Sequence, residues 1–138
     1  MKIRRILIAN RGEIAVRIIK TAKKMKIGTI VIKTAVEPNA MYVTMADTVF
    51  DNTEDLSEIP VFLNIERLIS IALETKADAI HPGYGFLSEN AYFAQKCAEN
   101  KLTFIGPSPD AIYKMGNKIV ARRIAHAAKG FPSFCHQD

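Results

Sequence analysis

The stretch HPGYGFLSEN, from His81 to Asn90, sets Tyr84 between Gly83 and Gly85 directly after the apolar run ADAI. Glycine tolerates positive φ and lets another group approach the main chain, so Gly-Tyr-Gly can project an aromatic ring while the backbone turns sharply. A plain tight turn is the other reading, since glycine and proline punctuate connections between strands and helices. Either way, a ring of this kind offers apolar area to a flat ligand.

A second stretch, GPSPDAIYKMGNKIVARR, holds a cation where a helix should begin. Ser108 followed by Pro109 reads as an N-cap with proline at the first helical position, Gly116 ends that short helix, and Asn117 caps another. Lys118 then falls in a first turn, where the positive end of the helix dipole disfavours a cation by about 0.3 to 1 kcal/mol. An incoming anion reverses that balance, which makes Lys118 a candidate phosphate ligand; an ordinary exposed lysine is the alternative.

Other chemistry is excluded or left without support. ANRGEIA has one glycine where a G-x-G-x-x-G dinucleotide loop has three, and Arg11 stands where a close-packed glycine is required, so simple NAD binding does not fit. Cys97 and Cys135 sit in no CxxC pair and beside no histidine at ligand spacing, so neither a disulfide framework nor a metal site follows. Cys97, four residues after Phe93, reads as a core residue. The net charge of +5 suits an anionic small molecule or an acidic partner. The basic residues are dispersed and not interleaved with aromatics, against a nucleic-acid surface. No apolar run reaches the ~20 residues of a membrane span. The start, MKIRRILIANRGE, lacks a small-residue cleavage site, and it is read as the first strand of a cytoplasmic protein.

These residues need a scaffold, and the hydrophobic pattern supplies one. Strand-like runs (IRRILIAN, GTIVIK, DTVF, ADAIH, KLTFIG) alternate with helical ones (GEIAVRIIKTAKKM, AMYVTMA, FLNIERLISIALETK, SENAYFAQKCAEN, SPDAIYKM, NKIVARRIAHAA). Such alternation predicts βαβ units in an α/β fold, an open, doubly wound, mainly parallel sheet with helices on both faces. Ligands bind such sheets beyond the carboxyl ends of the strands, so the loops ANRGE, KTAVEPN, HPGYGF and GPSPD are the candidate site. In the first helix, Ile14, Ile18, Ala22 and Met25 recur at helical spacing as the predicted packed face, with Arg17, Lys20 and Lys24 on another. Glu13 is spaced to pair with Arg17. DNTEDLSEIP reads as an acidic loop, and no internal repeat is found. At 138 residues the chain suits one domain.

Together, ILIANRGEIAVRII, AIHPGYGFLSENAYFA, FIGPSPDAI and MGNKIVAR closely resemble the N-terminal, pre-ATP-grasp domain of biotin carboxylase, a module of acetyl-CoA, propionyl-CoA and pyruvate carboxylases. Another pre-ATP-grasp ligase, of the carbamoyl-phosphate or purine-pathway kind, is not expected to carry HPGYGFLSEN. The resemblance implies a Rossmann-like parallel sheet and an ATP-grasp ligase reaction, in which ATP activates bicarbonate as carboxyphosphate and the ureido nitrogen of biotin receives the carboxyl group. It implies that Lys118 contacts ATP phosphate, that Tyr84 with Gly83 and Gly85 lies on the biotin side, and that Arg17 and Lys20 belong to a dimer contact. ATP, biotin and Mg²⁺ are then cofactors of the complete enzyme. Its partners are the remainder of the biotin carboxylase, a biotin carboxyl carrier protein, a carboxyltransferase and a second copy in a homodimer, with no nucleic acid and no membrane.

Most departures are local, but the ending AAKGFPSFCHQD resembles the family's AAGVPVVPG only as far as the proline. Asn117 and Lys20 replace the family's aspartate and arginine, KTAVEPN replaces an acidic S-x-A-D sequence, and DNTEDLSEIP replaces IGP after DTVF. Residues 1–138 are expected to form a single domain, about a third of a three-domain enzyme, with 117–138 beginning the connection to an ATP-grasp domain that the chain lacks. Alone it is expected to be inactive; a free-standing α/β nucleotide- or anion-binding module is the alternative.

Overall fold

The computed structural model describes residues 2–116. Lys118, Asn117 and Cys135 lie outside the described residues, as does the connection expected from 117 onward. The chain begins β1 (Arg5–Ile8), α1 (Gly12–Lys24), β2 (Gly28–Lys33), α2 (Met41–Met45) and β3 (Thr48–Asp51). After the exposed acidic loop comes a 3-10 turn (Val61–Leu63), then α3 (Ile65–Glu74), β4 (Ala79–His81), α4 (Ala91–Glu99) and β5 (Thr103–Phe104). Residues 109–116 are helical, and Ser108 Oγ accepts the Ala111 N–H at 3.1 Å, the N-cap expected there.

The five strands form a parallel sheet in the order β3-β2-β1-β4-β5. β1 is central, with Leu7 in register with Ile30 on one side and Ile80 on the other. Its apolar run is what a strand covered on both faces requires. Because side chains alternate, Ile6 and Ile8 pack with Ala15, Ile19, Val31 and Tyr42 under α1 and α2. Leu7 instead joins Ile30, Leu68, Ile71, Phe93 and Cys97 under α3 and α4. The doubly wound fold is thus formed, and Cys97 is fully buried as expected. Asn64 and Asn90 cap α3 and α4, accepting the Arg67 and Phe93 N–H groups at 3.1 and 2.8 Å.

One expectation holds only in part: Ala22 packs in the core and Ile18 against it, but the packed stripe is displaced. The face of α1 that packs on the sheet is Ala15, Val16, Ile19 and Ala22, whereas Ile14 and Ile18 are half-buried and Met25 is 64% exposed. The two stripes adjoin on the helix surface, and the small Ala15 and Ala22 let the backbone approach the strands, so the contact line runs through them. Among the described residues, Glu13 and Arg17 form no ion pair.

Candidate functional site

The chain leaves β1 toward β2 and β3 on one side and returns through β4 on the other. The loops after β1 and β4 therefore separate two halves of the sheet, the switch point where open α/β sheets take their ligands. Here the two loops are joined. The Ala9 N–H donates to the His81 carbonyl at 2.9 Å, carrying the pairing one residue past β1. Asn10 follows, 1% exposed, and its Nδ2 donates to the Pro82 and Tyr84 carbonyls at 2.7 Å each.

Those carbonyls flank Gly83, whose φ is +67°. A Cβ at Gly83 would stand 2.7 Å from both Asn10 Nδ2 and Ile14 Cγ2, so glycine is required by conformation and by space alike. Gly85 also has positive φ, +64°, but open space around it, so there the backbone alone favours glycine. Between them Tyr84 is 72% exposed. Phe86 adopts φ +45°, unusual for a bulky residue, with its ring tilted against Phe62 at 5.4 Å between centroids. The Gly83 N–H donates to His81 Nδ1 at 3.1 Å, and burial pushes the imidazole below its ordinary pKa, so the neutral ring serves as acceptor.

The loop after β1 also reaches the loop after β2. Arg11 Nε and an Nη grip the Glu37 carboxylate at 2.5 and 2.6 Å. That pairing raises the arginine and lowers the glutamate, each from its ordinary value. Burial, with the Glu37 charge adding to it, pushes the Tyr42 phenol up to about 12. KTAVEPN thus supplies a carboxylate to the contact between the loops after β1 and β2.

Ile3, Ile14, Ile18, Met25 and Ile105 line a concavity of about 820 Å³ beside α1, and Arg17, His81, Gly83 and Tyr84 also face it. The stripe expected to pack is therefore largely the wall of this hollow. Tyr84, Gly83 and Arg17 are brought together around it, while Lys20 is exposed elsewhere on α1. Asn10 and Glu37 escaped the sequence reading. A polar residue at the end of a buried strand signals the first; nothing local signals that the second meets Arg11, 26 positions away.

A parallel α/β sheet with its loops locked together at the switch point defines a domain of the doubly wound class. The family model for the N-terminal domain of biotin carboxylase matches residues 2–112. The chain belongs to that family. It is 48% identical over 133 residues to the biotin carboxylase of Nostoc sp. (strain PCC 7120 / SAG 25.82 / UTEX 2576), covering 96% of this chain and 29% of that protein. It is 50% identical over 120 residues to biotin carboxylase 1 of Bacillus subtilis (strain 168), covering 87% of this chain and 26% of that one. The chain thus spans little more than a quarter of these relatives' length. Among solved structures, it matches the biotin carboxylase domain dimer of Hydrogenobacter thermophilus 2-oxoglutarate carboxylase, in complex with MgADP, ADP and bicarbonate. The TM-score is 0.76 at 43% identity, covering 82% of this chain and 24% of that one.

Proposed function

We propose that the chain is the N-terminal part of an ATP-dependent biotin carboxylase and contributes, with the remainder of that enzyme, to carboxylation of biotin by bicarbonate. The observation that carries this reading is the exposed Tyr84 ring, held on a glycine turn at the switch point of a domain of this family. In this reading Tyr84 walls the biotin site, and Gly83 and Gly85 let biotin approach the backbone. Lys118 meets ATP phosphate, while Arg17 and Lys20 reach a second copy. The Hydrogenobacter domain, a dimer holding MgADP and bicarbonate, supports the nucleotide, metal and dimer parts.

Among the described residues no three His, Cys, Asp or Glu side chains cluster as metal ligands, and in this reading Mg²⁺ is held by the remainder of the enzyme. Residues 1–138 as one domain, with 117–138 leading onward, belong to the proposal, as do the carrier protein and carboxyltransferase as partners. Among the described residues no helix is long and apolar enough to cross a membrane. A cytoplasmic location is proposed; among the described residues Cys97 is a free, buried thiol.

The test is steady-state kinetics in a complete enzyme carrying this chain. Tyr84→Ala is expected to lower kcat/KM for biotin by the equivalent of about 1 to 3 kcal/mol, the usual cost of one lost aromatic contact, with the KM for ATP little changed. Tyr84→Phe is expected to be near neutral. Equal damage from both substitutions would show that the hydroxyl, not the ring face, is what matters.

A further inference from the structure

Asn10, Thr29 and Asn52 are the buried polar residues among those described. Thr29 is bonded to Asp47, and Asn52 to Arg67 and Asp55, within the scaffold. Asn10 is placed differently, since both its donors serve the loop that carries Tyr84.

We infer that Asn10 is the positioning residue of that loop, its carboxamide fixing the turn from which the Tyr84 ring projects; the inference rests on the reading of Tyr84 as the wall of the biotin site. A primary amide has two N–H groups and an acceptor oxygen, and all are occupied here. The two hydrogens go to the carbonyls of Pro82 and Tyr84, one residue to either side of Gly83, and Oδ1 accepts the Arg11 N–H at 2.8 Å. Drawing carbonyls 82 and 84 onto one nitrogen holds residue 83 in its left-handed conformation. The same nitrogen lies 2.7 Å from where a Cβ of residue 83 would be, closer than a side-chain carbon tolerates, so Asn10 holds this position against any residue but glycine.

The far side of the loop is held as well, by Phe86 against Phe62 and by the Ser88 N–H on the Gly85 carbonyl at 2.9 Å. Two glycines would otherwise leave the ring free to sample many directions, and a ligand would have to order it on binding. Asn10 follows the central strand of the sheet, so the loop takes its position from the most rigid element available.

The experiment uses a complete enzyme carrying this chain, with free biotin as the probe. Asn10→Asp keeps the size and the acceptor for Arg11 but removes both donors, so it tests the bonds without emptying the site. It is expected to lower kcat/KM for biotin about 10-fold or more, mainly through KM, with the KM for ATP held within about twofold. Combined with Tyr84→Ala it should add little, because the ring it positions is already gone. An unchanged KM for biotin in Asn10→Asp, where Tyr84→Ala raises it, overturns the inference and leaves the biotin-wall reading standing. A neutral Tyr84→Ala overturns that reading first. Equal rises in both KM values, or full additivity with Tyr84→Ala, would show a general structural role and also overturn the inference. Independently, in the 138-residue chain, Asn10→Asp should speed amide exchange at Gly83 while β2 stays protected; unaltered exchange at Gly83 overturns the inference too.

Discussion

His81 ties the loop chemistry to pH. Its Nδ1 accepts a bond from the Gly83 N–H, which a protonated ring cannot do, and burial lowers its pKa from the ordinary 6.5. Between the lowered folded value and 6.5 the unfolded chain binds the extra proton, so stability rises with pH across that interval. The contribution is complete above about 6.5 and is lost as pH falls toward the folded value. Glu37, Asp51 and Asp55 are also lowered, from 4.5, 3.8 and 3.8, so their losses come at more acid pH. Urea unfolding of the 138-residue chain should show a midpoint that falls from pH 7 to pH 5, and His81→Gln should flatten that fall. An equal slope in the variant would assign the effect to the chain's other two histidines, His126 and His136, outside the described residues.

Among the elements, α1 has the most to explain, because it faces the sheet with one stripe and the hollow with its neighbour. Ile19 is fully buried, and truncating it leaves a cavity among Ile6, Ile8 and Val31. Ile19→Ala is expected to cost about 2 to 5 kcal/mol, and Met25→Ala about 0.5 or less, measured as shifts in urea midpoint at constant slope. Comparable losses would mean that α1 is rotated about its axis toward the stripe that its larger side chains suggest. The five-residue α2 still buries Tyr42 completely, the two-residue β5 sets Phe104 edge-on against Phe93, and Asn64 and Asn90 fix where α3 and α4 begin.

At the scale of the whole molecule, phosphoryl transfer depends on positioned groups and neutralised charge, and the chain spans little more than a quarter of relatives named for the complete enzyme. The purified 138-residue chain is therefore expected to show no biotin-dependent ATP hydrolysis. Phosphate release that rises with biotin and bicarbonate would overturn that expectation. Alternating apolar runs and helical periods were enough to read the parallel α/β class, because burial on both faces of a strand leaves a local pattern. Ser108 was also readable as an N-cap, since capping acts over three residues, whereas the caps at Asn64 and Asn90 went unread. The family motifs brought Tyr84 and its glycines forward by type. What the sequence did not disclose was long-range: that β4 returns beside β1, that Asn10 meets residues 72 and 74 positions away, and that Arg11 grips Glu37. It also misled on α1, because helical spacing marks an apolar arc but not which part of the arc faces the strands. Local sequence determines where backbone turns and which residues prefer burial; only the packed sheet decides which loops become neighbours, because strand order is set by the summed packing of distant segments.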